Sequence, residues 1–213
     1  MSRLLPRLHE GTTILDLGGG RSPAIAVGAR PPDCRYVGFD ASASELALAP
    51  PASYDEVVIG DAARFAPELQ ERFDLIVSWH VLEHLEPLGD VVRNVREYLR
   101  PGGRFVAHLA GAFSAHALIN RVVPGWLGAY GMQHLLGRSP DTVFEARYDR
   151  CYHRALAREL AIFSRFEILP HYTDASYFRF NRWLQAAYIC YEEWAVARDH
   201  ANLASHYLIA ADR

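Results

Sequence analysis

The stretch Thr12-Thr13-Ile14-Leu15-Asp16-Leu17-Gly18-Gly19-Gly20 decides the fold. A short aliphatic, β-prone run reaches an acid and breaks into three glycines. A strand that ends this way delivers backbone amides to the crevice outside the carboxyl ends of a parallel sheet. Glycine lets the chain turn tightly there and lets a ligand touch main chain. Ser22-Pro23 then predicts an N-cap and a first-turn proline for a following helix. A nicotinamide-binding fingerprint wants Gly or Ala at position 23, where Pro23 stands. A phosphate-binding P-loop needs Gly-Lys-Ser/Thr after the turn, and none follows.

Working outward, short apolar runs alternate with helix-like segments, the rhythm of βαβ units. Arg35–Phe39 is a second predicted strand and stops at Asp40. A carboxylate at that place can accept hydrogen bonds from both hydroxyls of an adenosine ribose. Ser42 and Glu45 have capping-box spacing. Glu56–Ile59 is a third strand, closed by Gly60-Asp61-Ala62, a turn whose acid could accept an adenine amino group. Phe73–Trp79 is apolar enough for a strand covered on both faces. A helix is expected from Val81 to Leu99, stopped by Pro101-Gly102-Gly103, with Arg104–Leu109 as a fifth strand.

After Gly111 the rhythm breaks, and residues 111–150 match no periodic template. Helical patterning returns over His153–Phe163 and Tyr177–Arg198, with strands expected at Phe166–Tyr172 and Ala204–Ala211. Of 25 aromatic residues, 8 precede position 111 and 17 follow it. A compact cofactor half (12–110) and an aromatic-rich substrate half are therefore expected within one domain spanning 1–213.

Composition narrows the setting. Half of the 213 residues are hydrophobic, 22% are charged and the net charge is −3. That balance gives no general attraction for nucleic acid, and no basic tract is visible. Cys34, Cys151 and Cys190 have no metal-like spacing and read as reduced thiols, which fits a cytoplasmic setting. No signal-peptide stretch and no membrane-span window stand out. His80-x-x-Glu83-His84 is formally an inverted zinc-protease pattern. Its first histidine abuts a buried strand instead of lying inside a long helix, so no metal is expected.

The ordered set Ile14–Gly20, Val37–Asp40, Gly60–Ala62, Asp74–His84 and Leu99–Gly103 resembles the class I S-adenosylmethionine-dependent methyltransferases, in particular the quinone-biosynthesis and small-molecule branch. The resemblance covers roughly residues 12–110. It implies an α/β, Rossmann-like doubly wound sheet of seven strands, mostly parallel with an antiparallel last strand. By position, it implies that Asp16, Gly18 and Gly20 hold the methionine portion of S-adenosyl-L-methionine, Asp40 the ribose, and Asp61 with Ala62 the adenine. Ser78 and His80 would lie near the methyl end, and Ser22 stands where many members carry a third glycine.

The implied activity is methyl transfer to a small molecule, with a hydroxyl the expected acceptor, in secondary-metabolite or cell-surface sugar biosynthesis. The segment 145–160 resembles such bacterial enzymes. A hydroxyl acceptor needs a base, and histidine serves near neutral pH. The candidates are His108, His171 and His153 in that order, with His80 beside them. The connections 111–150 and 173–202 start at the ligand edge and are expected to act as substrate lids. Trp126, Tyr130, Arg147, Tyr148, Tyr177 and Arg179 are the substrate-binding candidates. The aromatic helix Trp183–Trp194 fits a homodimer face, or with less support a membrane surface. The rival readings are a nicotinamide-dependent oxidoreductase and a non-catalytic S-adenosylmethionine-binding partner subunit.

Overall fold

The computed structural model describes residues 8–114, 117 and 147–213. Among these residues, seven strands form one sheet: β1 (Thr13–Leu17), β2 (Arg35–Asp40), β3 (Glu56–Ile59), β4 (Phe73–Trp79), β5 (Leu99–Ala110), β6 (Arg165–His171) and β7 (His206–Asp212). Their spatial order is β3-β2-β1-β4-β5-β7-β6. The first five run parallel, and β7 lies antiparallel between β5 and β6. This is the expected doubly wound sheet with its antiparallel strand.

Alternation along the strands sorts the core onto two faces. Leu15, Leu17, Val37 and Ile76 point to one face, where α2 (Leu88–Tyr98) adds Val91, Val95 and Tyr98, and α3 (His153–Leu160) adds Leu156 and Leu160. Ile14, Tyr36, Leu75, Val77, Val106 and Leu208 point to the other. β1 is buried at every position, as a strand covered on both faces must be.

Three expectations about helices need correction. No helix follows the glycine turn; bends lead to a 3-10 turn at Val27–Ala29. Ala24 N–H donates to the Asp16 carboxylate at 2.8 Å and Ile25 N–H to the Tyr36 hydroxyl at 3.1 Å, which ties the segment after the turn to β1 and β2. The helix expected over Val81–Leu99 is split into a 3-10 turn at Leu82–His84 and α2. Pro87 between them lacks an N–H and disfavours a helical residue before it. The chain then enters β5 directly at Leu99, before the Pro-Gly-Gly stretch, which is absorbed as an irregularity in the β4–β5 pairing.

The helix expected over Tyr177–Arg198 likewise begins later. A 3-10 segment covers Asp174–Phe178, and α4 (Arg182–Ala197) starts after Asn181, whose side chain accepts from the amides of Trp183 and Leu184. Ser42 does cap the five-residue α1 (Ala43–Ala47), accepting from Glu45 N–H. No helix among the described residues is long and apolar enough to cross a membrane.

Candidate active site

The carboxyl ends of β1, β2 and β4 open onto one cleft of about 400 Å³. Its lining includes Gly18–Ser22, Phe39–Ser42, Gly60–Ala62, Trp79–Val81, His84 and Leu85. That size is ordinary for a small-ligand site. The glycine turn needs its glycines. Gly18 has φ +75°, and a Cβ there would meet Val81 Cγ1 at 2.3 Å. Gly20 has φ +46° and faces Asp40, whose Oδ2 would lie 3.3 Å from an added Cβ.

Asp40 is pinned at the rim. Its carboxylate accepts from Ser42 N–H at 2.8 Å and from the amides of Gly20 and Ala41. Partial burial nonetheless pushes its pKa up. Asp61 accepts from Ala63 N–H at 2.9 Å, which fixes the turn that presents Ala62 to the cleft. Asp16 does not line the cleft. It is buried beneath the turn, accepting from Tyr36 Oη at 2.7 Å, with Oδ1 in no hydrogen bond. Burial outweighs those hydrogen bonds and raises its pKa to about 6. Ser78 is also buried and donates to Leu17 O at 3.1 Å, tying β4 to the end of β1.

Beside the cleft, histidines gather around the carboxyl end of β4. His80 leaves β4 with φ +56°, its amide donating to His108 O at 2.8 Å. The His80 and His108 rings meet edge to face at 4.6 Å, and His108 is stacked between Trp79 (4.4 Å) and His206 (5.2 Å). Burial, reinforced by the neighbouring His80, lowers the pKa of His108 to about 3 and of His206 to about 4. His171 ends β6 directly opposite His206. His153 is not brought to this cluster; it lines a separate depression with Arg154, Asp199 and His200.

Tyr148 is buried, and its amide and that of Arg147 both donate to Glu83 O. The Arg147 guanidinium reaches Glu86 at 2.9 Å. Tyr177 lies in the 3-10 segment before α4, and Arg179 is exposed just beyond it. Trp126, Tyr130 and Phe144 lie outside the described residues.

Sequence reasoning missed His206, Glu83 and Asp174. Glu83 is 3% exposed, and Asp174 stands 3.6 Å from His206 Nδ1. A buried acid within a 3-10 turn gives no periodic signal; only the antiparallel course of β7 brings its first residue to this edge. Among the described residues no three His, Cys, Asp or Glu side chains are grouped to hold a metal.

The cleft suits an adenosine ligand. It joins a rim carboxylate, the apolar side chains Phe39, Ala62 and Leu85, and a turn that side chains at Gly18 and Gly20 would crowd. Comparison with known proteins agrees. A family described as a methyltransferase domain matches residues 1–161, and the chain belongs to it. Its fold and relatives place it among the class I S-adenosylmethionine-dependent methyltransferases, whose cofactor is S-adenosyl-L-methionine. The chain is 28% identical over 144 residues to a ubiquinone biosynthesis O-methyltransferase of Paramagnetospirillum magneticum, covering 64% of this chain and 52% of that protein. It thus spans about half the length of the curated relatives it matches.

Two solved structures share the fold at low identity. One is a Mesorhizobium loti S-adenosylmethionine-dependent methyltransferase (TM-score 0.56, 20% identity, covering 100% of this chain and 95% of that one). The other is Haemonchus contortus phosphoethanolamine N-methyltransferase 2 in complex with S-adenosyl-L-methionine (TM-score 0.59, 15% identity, 100% and 50% covered).

Proposed function

We propose that this chain transfers the methyl group of S-adenosyl-L-methionine to a hydroxyl oxygen of a small-molecule acceptor. The observation that carries this reading is the cleft itself, which the glycine turn, Asp40 and His80 line together. The O-methyltransferase relatives favour oxygen as the acceptor atom. Bound, the sulfonium supplies a methyl group already activated for attack.

The chain's own part is to bind and align. Asp40 accepts the ribose hydroxyls, Asp61 and Ala62 meet the adenine, and Gly18 and Gly20 present main chain to the methionine portion. Asp16 and Ser78 act from beneath by holding the turn and the end of β1. Collinear positioning of the reacting atoms is worth about 7–11 kcal/mol, so little further chemistry is required. Arg147, Tyr148, Tyr177 and Arg179 are the described candidates for the acceptor side. The likeness of segment 145–160 to bacterial small-molecule methyltransferases favours secondary metabolites and cell-surface sugars as acceptor classes.

Thermal shift with S-adenosylmethionine, S-adenosylhomocysteine and NADH, on wild type and Asp40→Ala, tests the reading. A ligand at about 100 times its dissociation constant stabilises by about 2.7 kcal/mol. Stabilisation by the two S-adenosyl compounds, weakened in Asp40→Ala, is expected. A response to NADH alone overturns the reading in favour of an oxidoreductase. Binding without methyl consumption across an acceptor panel would point instead to a non-catalytic partner subunit.

A further inference from the structure

Three histidine rings form a triangle beside the cleft, with centroids 4.6 Å (His80–His108), 5.2 Å (His108–His206) and 5.7 Å (His80–His206) apart. They are close enough that a proton on one disfavours a proton on either neighbour. The carboxylates beside them tell the three apart. Glu83 Oε1 lies 3.3 Å from His80 Nδ1, within hydrogen-bond reach. Asp174 Oδ1 lies 3.6 Å from His206 Nδ1, beyond it. His108 Nδ1 is buried and makes no hydrogen bond among the described residues.

Glu83 is nearly fully buried, its Oε1 also accepts from Ala110 N–H at 3.2 Å, and its Oε2 is buried without a hydrogen bond. A buried carboxylate with unused capacity gains most from a positive charge beside it. Of the three rings, only His80 also lines the cleft that holds the glycine turn and Asp40. Its backbone is held in the left-handed region, φ +56°, a conformation that costs energy in a non-glycine residue. The hydrogen bond from its amide to His108 O fixes the ring at the end of β4.

Resting on the methyl-transfer reading, we propose that His80 is the general base of the reaction and that Glu83 is its positioning residue. Glu83 Oε1 accepts the Nδ1–H of His80, which leaves Nε2 as the lone-pair nitrogen. As the acceptor oxygen bonds to the methyl carbon, the carbon–sulfur electron pair stays on sulfur and the hydroxyl proton passes to Nε2. Glu83 then balances the imidazolium charge until the proton leaves to solvent. His108 and His206, both kept neutral by burial, offer that proton no competing site. The groups that bear on His80 are Glu83 and His84 from the 3-10 turn after β4, His108 from β5, and His206 with Asp174 behind it.

The test uses the full chain labelled with 15N-histidine and saturated with S-adenosylhomocysteine. Long-range 1H–15N spectra give the tautomer and titration of each imidazole. His80 is expected as the Nδ1–H tautomer, and Glu83→Ala is expected to abolish that preference while the His153 signals are unchanged. An Nε2–H tautomer in the wild type, or a tautomer preference unmoved by Glu83→Ala, overturns the proposal without requiring any variant to turn over.

Catechol supplies the second arm as acceptor. His80→Gln is expected to lower kcat by about 100-fold or more with S-adenosylhomocysteine affinity retained. Its rate should recover towards about pH 10, where a phenolic hydroxyl ionises unaided. A wild-type kcat in His80→Gln overturns the assignment of the base. Failure of S-adenosylhomocysteine to bind the wild type is a different result, because it sinks the methyl-transfer reading itself.

Discussion

The hydroxyl of Tyr36 donates to Asp16 Oδ2 at 2.7 Å, joining the second residue of β2 to the carboxylate beneath the glycine turn. Burial raises the Asp16 pKa from 3.8 to about 6, and the Tyr36 hydrogen bond acts against that rise. A carboxyl with a raised folded-state pKa binds its proton more readily folded than unfolded. Its stabilising contribution is therefore present below about pH 4 and is lost as pH climbs through about 6. Tyr36→Phe removes the opposing hydrogen bond and should cost about 1–3 kcal/mol. The cost should be larger at about pH 7.5 than at about pH 5. Urea unfolding at the two pH values checks this, and an equal cost at both would count against it.

Arg30 supports the same assembly from outside. Its guanidinium sits 3.4 Å from the Tyr36 ring centroid and donates to Ile25 O and Ser53 O. Its charge also lowers the Asp16 pKa. Arg30→Met should destabilise by about 1–3 kcal/mol and move the Asp16 titration to higher pH. Carbonyl 13C shifts of Asp16 followed against pH would reveal the direction, and movement to lower pH would refute it.

At the turn, Gly18→Ala places a Cβ against Val81 in a left-handed backbone conformation. The conformation alone costs about 1–2 kcal/mol, and Val81 must also shift at the cleft wall. Loss of thermal stability together with weakened S-adenosylhomocysteine binding is the expected outcome, read by calorimetry. Unchanged affinity would mean that the turn does not meet the ligand.

The exposed aromatic residues at and just before the start of α4 should behave differently. Trp183 is 72% exposed and Phe180 69%. Trp183→Ser and Phe180→Ser should each change stability by no more than about 0.5 kcal/mol. A larger loss, seen in chemical denaturation and dependent on protein concentration, would identify this face as an interface between copies of the chain.

The sheet was legible where burial on both faces leaves an unmistakable apolar run, as at Leu15 and Ile76, and where an acid or glycine ends it, as at Asp40 and Gly18. The cleft residues followed from those ends. The helices were less legible, because local side-chain hydrogen bonds decided them. Asp16 and Tyr36 capture the amides after the turn, Pro87 splits the helix before Leu88, and Asn181 delays α4. Periodicity could not find the cluster of His80, His108 and His206, since its members are far apart in sequence and meet only through the pairing of β4 with β5 and of β5 with β7.

That pairing also governs the order in which the molecule can assemble. β7 follows the other six strands along the chain but lies between two of them. Among the described strands β6 pairs with β7 alone, and one edge of β5 stays open until residues 206–212 are in place. Open edges of this kind invite pairing with other chains. Folding intermediates that lack β7 are therefore expected to be prone to aggregation, and the insertion of β7 also delivers His206 to its place beside His80.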